Sequence, residues 1–178
     1  MIEVRSKVLV IVLALAVAML ALAMLATPVF AKTKVAVTAT QMGIGSSGGE
    51  SRLVDHGVLQ LREATGAGMV TLRIPGKPDL VGSSSSMING MIKFEHPEPG
   101  PWLEAKSVWH LNMVWTFTGT GTTGTFEGQM QRKAIGMPPL YMEAHMVLQG
   151  TGDFKGQTLR LSYAGPPPLN WEGFLLSS

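Results

Sequence analysis

The chain has 178 residues, no cysteine and a formal net charge of +2; 46% of it is hydrophobic and 15% charged. Without cysteine there are no disulfides, no thiol catalysis and no thiolate-ligated metal. The near-neutral charge balance, with no clustered basic run, excludes an electrostatic footprint for nucleic acid.

Residues 1–31 differ from the rest. A basic start, Arg5 and Lys7 against Glu3, leads into an apolar run over residues 8–26 that ends in Thr27-Pro28-Val29-Phe30-Ala31. That is the layout of a secretory signal peptide cleaved after Ala31. The alternative is an uncleaved membrane anchor, since the run has 19 residues and a spanning helix takes about 17–25. Under either reading residues 32–178 form the folded domain and lie outside the cytoplasm, secreted or at the extracellular surface. Membrane contact is then confined to residues 8–26. Removing Arg5, Lys7 and Glu3 with the leader leaves 12 basic and 11 acidic residues.

Beyond Ala31, helical periodicity is scarce and strand patterns recur. A first strand is expected over residues 34–41, followed by a small-residue loop at 43–49. Strands at 53–62 and 69–74 flank Thr65-Gly66-Ala67-Gly68, which reads as a hairpin turn. Ser83 to Ser86 read as a loop, and 87–94 as a strand. His96-Pro97-Glu98-Pro99-Gly100-Pro101 cannot hold a ladder, because its three prolines lack the donor. The clearest strand is 109–117, where Trp109, Leu111, Met113, Trp115 and Phe117 alternate with mostly polar residues. Residues 125–135 follow. In 140–150, Met142, Ala144, Met146 and Leu148 oppose Tyr141, Glu143 and His145. Strands at 158–163 and 170–176, separated by Pro166-Pro167-Pro168, complete the set. The expected fold is an all-β, single-domain antiparallel barrel of roughly eight or nine strands. A two-sheet sandwich is the alternative.

Gly119-Thr120-Gly121-Thr122-Thr123-Gly124 spells G-x-G-x-x-G. A dinucleotide loop follows a strand and opens a helix within a βαβ unit. Here Thr125-Phe126-Glu127-Gly128-Gln129 follows, with no helical stripe. The glycines therefore read as a β-turn and bulge between two antiparallel strands, and no cofactor is expected.

A second stretch, Gly150-Thr151-Gly152-Asp153-Phe154-Lys155-Gly156-Gln157, shares G-T-G and F-x-G-Q with residues 119–129. It resembles the G-T-G-x-F turn of dirigent proteins and allene oxide cyclases, which are small exported or plastid β-barrels. The resemblance covers about twenty residues over both copies and implies a barrel with an interior cavity. It carries over no catalytic residue.

Candidate sites are sparse. His56, His96, His110 and His145 have no metal-ligand spacing, so no metal is expected. Glu143 and His145, with Tyr141 in the same row, form an acid–base cluster if that face turns inward, and a solvated surface if it turns outward. Trp109 and Trp115 share a face and read as core. Trp102 and Trp171, beside proline-rich loops, read as rim residues able to stack on a ligand, with His110 as a further ligand-binding candidate. Three functions follow from this pattern. The first is a non-enzymatic binding module for a small apolar ligand or a surface partner protein. The others are a cyclase or isomerase-type barrel enzyme and a surface protein that assembles by strand addition.

Overall fold

The computed structural model describes residues 33–54, 57–94, 105–119, 121–136, 141–166 and 168–177, all within the unit Lys32–Ser178. The leader at 1–31 and the proline loop at 96–101 lie outside the described residues.

Nine strands follow in chain order: β1 (Thr33–Ser47), β2 (Glu50–Val54), β3 (Val58–Arg73), β4 (Leu80–Lys93), β5 (Lys106–Gly119), β6 (Thr122–Ile135), β7 (Tyr141–Gly150), β8 (Gln157–Gly165) and β9 (Leu169–Ser177). From β3 to β9 each strand pairs antiparallel with the next, β9 pairs with β1, and β1 pairs with β3. The β1–β3 pairing closes eight strands into a barrel, which removes the sandwich alternative. β2 is the extra strand. It prolongs β1 along β3 past a kink at Gly48 and Gly49: Ser47 faces Thr65, and Glu50 faces Arg62.

The stagger follows from one row of cross-strand neighbours. Asn89, His110, Gln131, His145, Ser162, Glu172, Thr38 and Arg73 follow one another round the barrel. One step beyond the Leu72–Leu80 pair, Arg73 meets Asp79, the residue before β4, and Arg73 Nε lies 3.2 Å from Asp79 Oδ2. From Asn89 to Asp79 the offset is ten residues. Eight strands so staggered tilt by about 35–45° and enclose room for side chains or for one small ligand.

Three connections expected in the sequence are strand instead. Thr65-Gly66-Ala67-Gly68 lies in the middle of β3, not in a hairpin. Gly68 is small because the β1 backbone crosses close by: a β-carbon there would fall 2.3 Å from the Met42 carbonyl oxygen. Ser83 to Ser86 belong to β4, with Ser84 and Ser86 turned inward and Gln41 Nε2 donating to Ser84 Oγ at 3.0 Å. Residues 43–47 continue β1 through an irregularity between Met42 and Gly45. In each case a ladder imposed from both sides overrides weak local strand propensity. Where β3 bulges, at Arg62 and Glu63, the Glu63 N–H donates to Asn89 Oδ1 at 3.0 Å instead of to the ladder.

Alternation turns one face of each strand inward. Trp109, Leu111, Met113, Trp115 and Phe117 of β5 are all buried, as are Met142, Ala144, Met146 and Leu148 of β7. One end is closed by Phe117, Phe126 and Phe154, with the last two rings stacked at 4.6 Å. Phe154 comes from the G-T-G-x-F turn, which carries a one-turn 3-10 helix, Gly152–Phe154. Asp153 ties this turn to the β5–β6 hairpin, accepting from the Thr123 N–H at 2.7 Å. Gly121 takes φ +82 in that hairpin, and Gly124 makes room for Phe154, whose ring would lie 2.8 Å from a β-carbon there. The G-x-G-x-x-G letters thus spell a turn and a packing site at the foot of the barrel.

Candidate functional site

At the other end of the interior the wall changes character. Along β6, Phe126 lies in the closed foot, and Arg132 stands six residues further on, about 20 Å along the strand. Register turns Arg132 inward, since its neighbours across the ladder are Trp109 and Ala144, both buried. The same row runs from Gly90 through Trp109, Arg132 and Ala144 to Tyr163. Gly90 is where the Trp109 ring lies, 2.4 Å from a β-carbon that any larger residue would carry. The Tyr163 hydroxyl donates to the Pro166 carbonyl, and its ring sits 5.9 Å from that of Trp171. Burial, with a smaller contribution from Tyr141, raises the Tyr163 pKa.

Arg132 is the unusual member. Its Cζ lies 5.0 Å from the centre of the Trp109 ring, so the guanidinium is placed over an aromatic face. Its Nε–H is sealed from solvent and has no hydrogen-bond partner among the described residues. Burial draws its pKa down to about 10, which leaves it a cation at neutral pH. Among the described residues no carboxylate pairs with it.

Five further buried polar atoms lack partners among the described residues: Gln41 Oε1, Ser86 Oγ, and the indole nitrogens of Trp109, Trp115 and Trp171. All belong to inward-facing positions of barrel strands. Native interiors leave few polar groups unpaired, and each costs about 1–3 kcal/mol. Trp109 shares the row of Arg132, and Trp171 lies beside Tyr163 of that row; Trp115 stands opposite Phe126 toward the closed foot, with Ser84 and Gln41 beside it.

The residues singled out in the sequence fall elsewhere. Tyr141, Glu143 and His145 are exposed on the outer face of β7. Glu143 and His145 line a surface depression with Ser162 and Glu172, and are not enclosed. His110 also points outward and is exposed. Trp171 is no rim residue: it is fully buried beside Tyr163, because its alternation with Leu169 and Leu175 puts it on the inner face. Trp102 lies outside the described residues. Arg132 went unnoticed, although a signal for it was present. Phe126, Gly128, Met130 and Ala134 share one face of 125–135, and a lone arginine interrupts them.

Comparison with known protein families, with curated proteins and with solved structures finds no match to this chain.

Proposed function

We propose that this chain is an exported binding module that holds one small apolar ligand inside its barrel without transforming it. The observation that carries this reading is the inner wall itself. It is aromatic and methionine-rich, yet it bears indole N–H groups, an amide oxygen and a hydroxyl with no partner among the described residues. Ligand sites have that composition: a mostly apolar lining with a few polar groups that fix orientation. Among the described residues the interior offers a guanidinium and a phenol as its titratable groups. The Tyr163 hydroxyl is engaged by the Pro166 carbonyl and the guanidinium keeps its proton at neutral pH, so the lining favours holding over acid–base catalysis. The phenylalanine cluster closes one end, and the ligand enters by the other. Export rests on the leader pattern of residues 1–31. Titration of the full chain with N-phenyl-1-naphthylamine, a neutral apolar fluorophore, tests the reading. Saturable binding at one equivalent is expected, and no binding at any concentration would end it.

A second reading, assembly by strand addition, draws on β2. Among the described residues this strand pairs with β3 on one edge and with nothing on the other, and its Leu53 is 55% exposed. Such an edge is a template for another chain. Arg52→Pro, which removes a backbone donor from β2, would then abolish any self-association seen by sedimentation. Unchanged association would reject this reading.

A further inference from the structure

We infer that the ligand of this barrel carries an anionic head, a carboxylate or a group of similar shape, which seats on the guanidinium of Arg132 while its apolar body lies along the aromatic wall. This rests on the binding-module reading and adds the ligand's chemical class and orientation.

The argument begins with geometry. A guanidinium over a ring uses its face and leaves its in-plane donors free. The Arg132 Cζ lies over the Trp109 ring, 5.0 Å from its centre, while Nε–H has no partner among the described residues. The Nε–H and the adjacent Nη–H form a planar fork, matched to the two oxygens of a carboxylate. A buried cation is tolerated when it is paired, and removing the partner is costly. Among the described residues nothing pairs with Arg132, and its charge persists because burial lowers its pKa only to about 10. Among the described residues the missing element is a negative charge, which a bound ligand would bring.

The row around Arg132 agrees in sign. Arg132 Nε, the indole nitrogen of Trp109 opposite it and that of Trp171 beside Tyr163 are donors only. Each of these unpartnered atoms thus calls for an acceptor. An interior short of acceptors suits an oxygen-rich anion, not a cation or an amine. Position agrees as well. Arg132 is half-buried, while Trp115, Trp171 and Leu148 are wholly sealed. The guanidinium therefore lies nearer the open end than Trp115 and Leu148, just inside the row Ser107–Ala134–Met142. Beside it Ala144 is the smallest side chain in the row between Arg132 and Tyr163.

The test compares octanoate with octan-1-ol, matched in length and differing in charge, by calorimetric titration of the full chain. Octanoate is expected to bind at least about tenfold more tightly, the scale of one charged hydrogen-bonded contact. Arg132→Gln should erase that difference, and Arg132→Lys should restore part of it; thermal melts of both variants establish that they fold. The wild-type comparison needs no variant and stands if Arg132→Gln fails to fold. Equal affinity for acid and alcohol would overturn the anion inference while leaving the binding module intact. A preference for the acid that survives in folded Arg132→Gln would overturn the role of Arg132. Failure of both probes to bind would overturn the inference together with the reading on which it rests.

Discussion

Replacing Arg132 by methionine should stabilise the empty protein. The cation sits in a partly sealed interior, and burial lowers its pKa well below the usual guanidinium value, to about 10. That gap corresponds to a cost of about 3 kcal/mol for holding the charge in the folded state. Arg132 keeps partial exposure, and solvent screening reduces the figure. Losing the contact with the Trp109 ring returns about 1 kcal/mol. The net expectation for Arg132→Met is a gain of about 1–2 kcal/mol, or roughly 3–6 °C in Tm. Denaturant titration measures it directly. The cost also has a pH signature. At neutral pH both states are charged and the cost is fully present. As pH rises through about 10 the folded state releases its proton while the unfolded state still holds it, so the wild type gains stability relative to Arg132→Met. A loss of 1 kcal/mol or more in the variant at neutral pH would refute the reasoning, because the cation would then be compensated by the protein itself.

Three further outcomes are expected. Trp115 is fully buried and Thr116 only partly so; Trp115→Ala should cost about 3–5 kcal/mol and Thr116→Ala under about 0.5, by denaturant titration. Comparable losses at the two positions would contradict the inward alternation of β5. Within G-x-G-x-x-G the three glycines should behave differently under Ala substitution. Gly119 has nothing within 4 Å of a β-carbon, Gly121 is at φ +82, and Gly124 would meet Thr151 O at 2.5 Å. Unfolding should show almost no effect, about 1 kcal/mol, and a larger loss respectively, whereas saturable NADH binding would reinstate the nucleotide loop. Protein recovered from outside the expressing cell should begin at Lys32 by intact mass, and a membrane-bound species retaining Met1–Ala31 would favour the anchor.

The strands with large alternating side chains were readable in the sequence because period two survives in a barrel as in any half-buried sheet. Residues 109–117 and 140–150 declare their inner faces through Trp115 and Leu148. Tracts of small residues were not readable. Gly66 and Ser84 look like loop because nothing local favours a strand there; they are held by neighbours brought in by closure, β1 on one side and β5 on the other. Closure itself depends on the pairing of Thr38 with Arg73, a contact without local signature. The polar interior escaped notice for a related reason. Tryptophan reads as core, and its N–H counts as unpartnered only once the wall around it is known. Arg132 was misleading in the opposite sense, since a single arginine in a strand is ordinarily an outer-face residue.

The central claim is that an anionic head group seats on Arg132 inside the barrel, and amide and side-chain NMR of the nitrogen-15-labelled protein tests it most directly. Titration with octanoate should move the Arg132 Nε–H and Trp109 indole N–H signals downfield together, saturating at one equivalent, with resonances of the outer face near His145 unchanged. Shifts confined to that outer face, with the Arg132 and Trp109 signals unmoved at saturation, would contradict the account.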